Sequence, residues 1–396
     1  MQPAFDLGLL AAPSALIFAA VLLAGWHVGA SPALTWALAL AKTSLYFVYF
    51  GVFFDGSFTF IDDWTYLERG AALHAAGVRW FNMFDSLPLL LAVGEGNHFL
   101  YYSFNATAIG TFGEGYFAPV AVNVVISVAV AWLATRLVVA EGLCVPRLAP
   151  AFFAFMTLHP DILAWSTVLN GKDTLVLLLH VLLLTAVSWF LKGWRWRALV
   201  LAATATAVLL FLRFYVPVLF AIALAVVGAL GMSRTARWRM LGLSALVGSG
   251  LVWQMGGAGL QSVLDALRAE FVNPVWGLLR FTLTPIPFNT SPEYAFLDFP
   301  ALLHWLFLPA AVLGFLTVLR TPTPFARYLA VYTLVFVALY AVYGELQGPR
   351  HRLQLDFAWA TFQFIGIGVL VRLLATISVR RRSSGRADHF TQSPTP

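Results

Sequence analysis

Four short stretches of this 396-residue sequence concentrate side chains able to move protons or hold anions. The first is Asp62-Asp63-Trp64-Thr65-Tyr66, where two adjacent carboxylates can serve as a general base or as ligands for a divalent cation. The second is Asn170-Gly171-Lys172-Asp173, which pairs an ammonium with a further acid. The third is Arg213-Phe214-Tyr215, and the fourth is Arg350-His351-Arg352. Guanidinium groups suit phosphate, which they hold through paired donors.

Each stretch also has a purely local explanation. Asp62 or Asp63 can cap an amphipathic helix that places Trp64, Leu67, Ala71 and His74 on one face. Lys172 and Asp173 can form a neutral turn that caps the next helix, and Arg213 can snorkel to a membrane interface. Lys42 calls for a partner among the outer acids or Asp161. His159-Pro160-Asp161 predicts a kink or break in its helix, because proline removes a backbone bond. His98, His304 and Trp305 fall in outer loops without metal-ligand spacing.

The elements that must position these residues are membrane spans. Sixty per cent of residues are hydrophobic, only 11% are charged, and the mean hydropathy is +0.82. An ordinary soluble domain carries about 25% charged residues, so a soluble enzyme is excluded. The expected fold is an all-α polytopic membrane protein with about 11 transmembrane helices and a long first outer loop bearing amphipathic helices. The apolar runs lie near 8–27, 33–54, 116–135, 148–169, 174–191, 198–212, 214–231, 240–256, 301–319, 328–343 and 355–375. They divide the chain into two N-terminal spans (1–54), an outer catalytic loop (55–115) and further spans (116–256). An outer loop (257–300), C-terminal spans (301–379) and a disordered cytoplasmic tail (380–396) follow. The first run has no Lys or Arg before it and no small-residue cleavage pattern after it, which predicts a retained helix. No internal repeat is legible. The single Cys144 excludes a disulfide framework, and no Cys/His cluster suggests zinc or iron-sulfur.

Basic residues orient the bundle. Fifteen of the 24 lie in one set of loops, from Arg136 to Arg386, with only Glu141 and Asp388 beside them. That side is predicted to be cytoplasmic, together with the C-terminus. All four chemical stretches then fall at the opposite face. The pI near 9.6 reflects this topology, since no basic domain is available to track nucleic acid. Three Lys against 21 Arg, with abundant Ala, Leu and Val, is a compositional bias of high-GC bacterial genomes, and the expected localisation is a bacterial inner membrane. No nucleotide loop, G-x-S-x-G elbow or H-E-x-x-H motif occurs.

With these residues in view, the chain resembles the glycosyltransferase-C superfamily, polytopic enzymes that take a sugar from a polyprenyl-phosphate carrier. Asp62-Asp63-Trp64-Thr65-Tyr66 is similar to the acidic pair and tyrosine of that family's first outer loop. Phe117 to Leu137 resembles its next helix, and Arg147 to Asp173 the segment that brings in a second acid. Arg213-Phe214-Tyr215 stands where many members have Arg-Pro-Tyr, with Phe214 a departure. Arg350-His351-Arg352-Leu353 resembles the Arg-x-Arg-Leu of bacterial polysaccharide-cluster members, as does Thr284-Pro285-Ile286-Pro287-Phe288. The extra first span departs from the family's usual arrangement.

The resemblance implies a mechanism. Asp62, with Asp63 close behind, is the expected base, and Asp173 positions the acceptor or, with Asp62, a divalent cation such as Mg or Mn. Arg350 and Arg352, with Lys172 and Arg213, hold the lipid phosphate, while Tyr66 and His351 position substrate. The partners implied are a polyprenyl-phosphate-linked sugar, a glycan, lipid or protein acceptor and membrane lipids. Inversion at the sugar carbon is the family's outcome. Two rivals use the same residues differently. An outer-face polymerase or ligase acting on lipid diphosphate-linked glycans needs the arginines but not the acids as bases. A lipid-linked saccharide transporter uses Lys42, Asp161 and Arg213 for gating and predicts inverted repeats, which are not legible.

Overall fold

The computed structural model describes residues 7–56, 62–94, 98–213, 215–230, 237–238, 241–242, 244–245, 265, 268–344 and 348–387. Among these every regular element is helical, and one isolated backbone bridge joins Phe271 to Tyr343. In order they are α1 (Ala11–His27), α2 (Pro32–Val48), α3 (Asp62–Ala75), α4 (Leu87–Gly94), α5 (Phe99–Phe112), α6 (Phe117–Ala140), α7 (Ala149–Thr157) and α8 (Pro160–Val168). Then come α9 (Asp173–Leu191), α10 (Arg195–Leu212), α11 (Tyr215–Ala229), α12 (Pro274–Leu283), α13 (Asp298–Arg320), α14 (Pro324–Val342), α15 (Pro349–Leu353) and α16 (Asp356–Ala387).

Eight helical stretches are long and apolar enough to cross a membrane. They are Gly8–His27, Pro32–Phe53, Phe117–Ala140, Asp173–Leu191, Arg195–Leu212, Tyr294–Arg320, Pro324–Val342 and Asp356–Thr376. The chain is therefore an all-helical polytopic membrane protein. α7 and α8 together are long and apolar enough for one further crossing but are bent by 46° at their break, as in a broken span or a re-entrant loop, and α11 is a shorter apolar helix. The expected span at 240–256 lies outside the described residues.

The bend follows from Pro160, which takes the first position of α8 and leaves the last carbonyls of α7 without intrahelical donors. Lys42 answers one of them: its Nζ lies 3.3 Å from the Thr157 carbonyl oxygen, fully buried. The acid expected to pair with Lys42 is thus replaced by a helix C-terminus, whose partial negative charge suits an ammonium.

Three boundaries differ from those expected. α16 continues through residues 380–387, because no proline interrupts 356–387, so the tail does not begin at 380; residues 388–396 lie outside the described set. The outer loop at 257–300 contains α12 and the start of α13. In the first loop, α5 is not amphipathic but buried along most of its length, from Phe99 to Ile109.

α3 also presents a different face from the one expected. Its buried residues are Asp63, Tyr66, Gly70 and Leu73, one position before Trp64, Leu67, Ala71 and His74. The reason is close packing on α5. A Cβ on Gly70 would stand 2.4 Å from the Asn105 Cβ, so the glycine sets the rotation of the helix.

α13 and α16 approach each other in the same way, through small residues. A Cβ at Gly314 would lie 1.8 Å from the Phe362 carbonyl oxygen, and one at Gly366 would lie 1.8 Å from that of Ala310. These contacts are to backbone and cannot yield by rotamer change. Gly314→Ala and Gly366→Ala are each expected to destabilise the protein by about 1–3 kcal/mol through overpacking. Thermal unfolding in detergent checks this, and an unchanged midpoint for both would mean the two helices are not locked together.

Candidate functional site

Three helix ends and one short helix bring the chemical residues together. Asp62 and Asp63 open α3, Lys172 and Asp173 open α9, Arg213 closes α10, and Arg350 and His351 lie on α15. Arg350 is the junction: its Nε donates to Asp173 Oδ2 at 2.5 Å and its Nη1 donates to Asp62 Oδ2 at 3.0 Å. Arg213 Nη2 takes the other Asp173 oxygen at 2.8 Å. The two acids expected to share a site do so, separated by one guanidinium.

Their environments differ sharply. The Asp173 side chain is 1% exposed and both its oxygens accept from arginine, whereas Asp62 is 54% exposed. Asp173 is therefore an anchor for arginines and a poor base, and Asp62 is the open acid. This donor set does not suit the divalent cation expected at Asp62 and Asp173, because the guanidinium groups already occupy the oxygens it would need. An additional cation would meet Arg350 and Arg213 directly.

Asp63 plays another part. It is buried, and its Oδ2 accepts from the Tyr116 hydroxyl at 2.6 Å. That hydroxyl in turn accepts from the Asn170 backbone N–H at 2.9 Å. The Asn170 side chain donates to the Asp63 carbonyl (3.1 Å) and to Asn105 Oδ1 (2.7 Å), and accepts from the Tyr101 hydroxyl (3.0 Å). Asn123 completes the network through Tyr101 and the Gly171 carbonyl. Asp63 thus fixes α3 against the turn that carries Lys172 and Asp173, which makes it a positioning residue rather than a second base.

Lys172 lies beside the arginines, with Nζ 2.9 Å from the ring nitrogens of His98 and 5.8 Å from the centre of the Tyr66 ring. Burial, followed by the charge of Arg213, lowers its pKa to about 7, against the pull of Asp173. Burial and then Lys172 lower His98 to about 4, so His98 is neutral at pH 7 and accepts from the ammonium. His98 also sits at φ 56°, a left-handed conformation that a non-glycine residue adopts under constraint. Its spacing in the sequence carries no hint of this role.

Tyr66 packs edge-on to Tyr101 at 4.9 Å, and its buried hydroxyl has no hydrogen-bond partner among the described residues. His351 is held near 3 by burial and then by Arg213, so it faces the site as a neutral ring. Arg352 is not part of this site. Residues two apart on a helix point to opposite sides, and Arg352 turns inward, 2% exposed, to the Thr284 carbonyl (2.5 Å) and to Asp161 Oδ2 (3.5 Å). The expectation that both arginines hold one phosphate is corrected accordingly.

A groove of about 830 Å³ runs between α2, α8 and α13, lined by apolar side chains including Leu45, Tyr49, Phe53, Leu163 and Phe299. Thr167 and Val168 line it at the end of α8, immediately before the Asn170–Asp173 turn. Compared with protein-family models, with curated proteins and with solved structures, the chain finds no match in any of the three.

Proposed function

We propose that this protein is a membrane glycosyltransferase of the glycosyltransferase-C kind, moving a sugar from a polyprenyl-phosphate donor to an acceptor hydroxyl at the outer face of a bacterial inner membrane. The observation that carries the reading is Arg350 bridging an exposed and a buried carboxylate, with Lys172 close by and an apolar groove whose lining along α8 ends at Val168, two residues before Asn170. The loop charges support the orientation, with the arginine-rich loops and the C-terminus cytoplasmic.

In this reading the prenyl chain lies in the groove and its phosphate meets Arg350, Arg213 and Lys172. Asp62 takes the proton of the acceptor hydroxyl as that oxygen bonds to the anomeric carbon. The bond from that carbon to the phosphate oxygen breaks, and the electron pair leaves with the lipid phosphate. The cations stabilise the charge that develops there. Asp173 holds the arginines in place, and Tyr66 offers its unpartnered hydroxyl to substrate.

Protein in nanodiscs, given polyprenyl-phosphate-linked hexoses and pentoses with an acceptor mixture, tests this directly. Release of free polyprenyl phosphate with stoichiometric glycosylation of an acceptor supports it. Movement of intact lipid-linked saccharide across proteoliposomes, insensitive to Asp62→Asn, contradicts it and supports transport.

Lys172 gives the reaction a pH dependence of defined sign. The residue is charged below about pH 7 and neutral above it, so the free site loses one positive charge as pH rises. A bound phosphate favours the ammonium and holds its proton. The expected result is a fall in kcat/KM for the lipid donor above about pH 7, with kcat at saturating donor nearly flat. In Lys172→Met that limb should disappear, which steady-state profiles from pH 6 to 9 check.

A further inference from the structure

A second polar cluster lies where the break between α7 and α8 meets α16, and it includes neither Asp62 nor Asp173. One ligand atom from each of His159, Asp161 and Asp356 lies within 4.8 Å of the others. All three residues are buried, at 2%, 3% and 1% exposure. His159 Nε2 lies 2.9 Å from Gln363 Oε1, and in the tautomer that donates to this oxygen Nδ1 keeps its lone pair. Nδ1 has no partner among the described residues.

The carboxylates are short of donors too. Asp161 turns Oδ2 to Arg352 at 3.5 Å, while among the described residues its Oδ1 has no hydrogen-bond partner. Asp356 has none for either oxygen. His304 lies 3.9 Å from Asp161 through Nδ1, but its Nε2 faces the Thr282 carbonyl at 2.9 Å. One ring nitrogen and two carboxylates thus converge where, among the described residues, the positive charge at hand is Arg352. Buried anions without partners are strongly disfavoured, so something electropositive belongs between them.

We propose that His159, Asp161 and Asp356 bind one divalent metal ion of the zinc or manganese class, which accept mixed imidazole and carboxylate ligands. Gln363 acts from behind, fixing the His159 tautomer through its hydrogen bond. The ion ties the break between α7 and α8 to α16. That helix begins three residues after α15, so the ion also steadies the element that carries Arg350. The inference goes beyond the transfer reaction and does not depend on it.

The test uses the full chain in nanodiscs, stripped with chelator and reloaded with Zn²⁺ or Mn²⁺. The readouts are metal per chain by mass spectrometry and the thermal midpoint. About one equivalent retained per chain, with a rise in midpoint on reloading, is expected for the wild type. His159→Gln and Asp356→Asn should abolish both effects, and Gln363→Leu should weaken binding about 10–100-fold. Asp62→Asn should retain wild-type metal. Where His159→Gln or Asp356→Asn fails to fold, the Gln363→Leu affinity and the wild-type stoichiometry still decide. A monodisperse wild type that holds no metal after loading, with an unmoved midpoint, overturns the proposal and leaves a proton shared by the two acids. Metal lost in Asp62→Asn but kept in Asp356→Asn also overturns it.

Discussion

Asp62→Asn is expected to lower kcat by roughly 10²–10⁴-fold, the range for loss of a general base. Affinity for the lipid donor should stay within a few-fold of wild type. The argument rests on which acid is open. Asp62 is the only one of the three candidate carboxylates with substantial exposure, and Arg350 orients it from one oxygen. The amide retains an acceptor oxygen for Arg350 but cannot take a proton, so positioning survives while the base is lost. Asp63→Asn separates the roles further. It should act through stability, because Asp63 is buried behind Tyr116. Single-turnover sugar transfer, measured beside equilibrium donor binding, distinguishes the two. If Asp62→Asn turned over within threefold of wild type, Asp62 would not be the base.

Arg350→Ala is the second large effect, and it should damage both stability and turnover. Removing the guanidinium leaves Asp173 buried with Arg213 as its one ion-pair partner among the described residues and frees Asp62 from its tether. Breaking a buried pair in this way costs about 3–5 kcal/mol. Loss of a charged donor at the developing phosphate charge adds roughly a 10²–10³-fold fall in turnover. Arg350→Lys separates the two contributions. A lysine restores charge but cannot span Asp173 and Asp62 together, so stability should recover more than kcat. Thermal unfolding and kcat measured on both variants check this. Equal recovery of the two would show that charge alone matters at this position.

Much of this arrangement was legible in the residues. Apolar runs located the candidate spans, Pro160 announced the break between α7 and α8, and Asp62, Asp173, Arg213 and Arg350 were marked by charge between or at the ends of apolar runs. What escaped depends on partners that sequence does not display. Lys42 answers a backbone carbonyl exposed by the break, and no side-chain pattern encodes that. The face of α3 turns on Gly70 meeting Asn105, a contact between helices rather than a periodicity. Burial of Asp63 depends on Tyr116, 53 residues away. The separation of Arg352 from Arg350 was available in principle, since their spacing of two places them on opposite sides of any helix. The loop resemblance, which treats the pair as one motif, obscured it.

The most direct test of the account is a structure of the protein with a non-transferable polyprenyl-phosphate sugar analogue bound. The predicted complex has the prenyl chain in the groove along α8, phosphate oxygens within hydrogen-bond reach of Arg350 and Lys172, and Asp62 facing the anomeric carbon from the opposite side. A phosphate bound elsewhere, with the Asp62–Arg350–Asp173 bridge undisturbed, would contradict it.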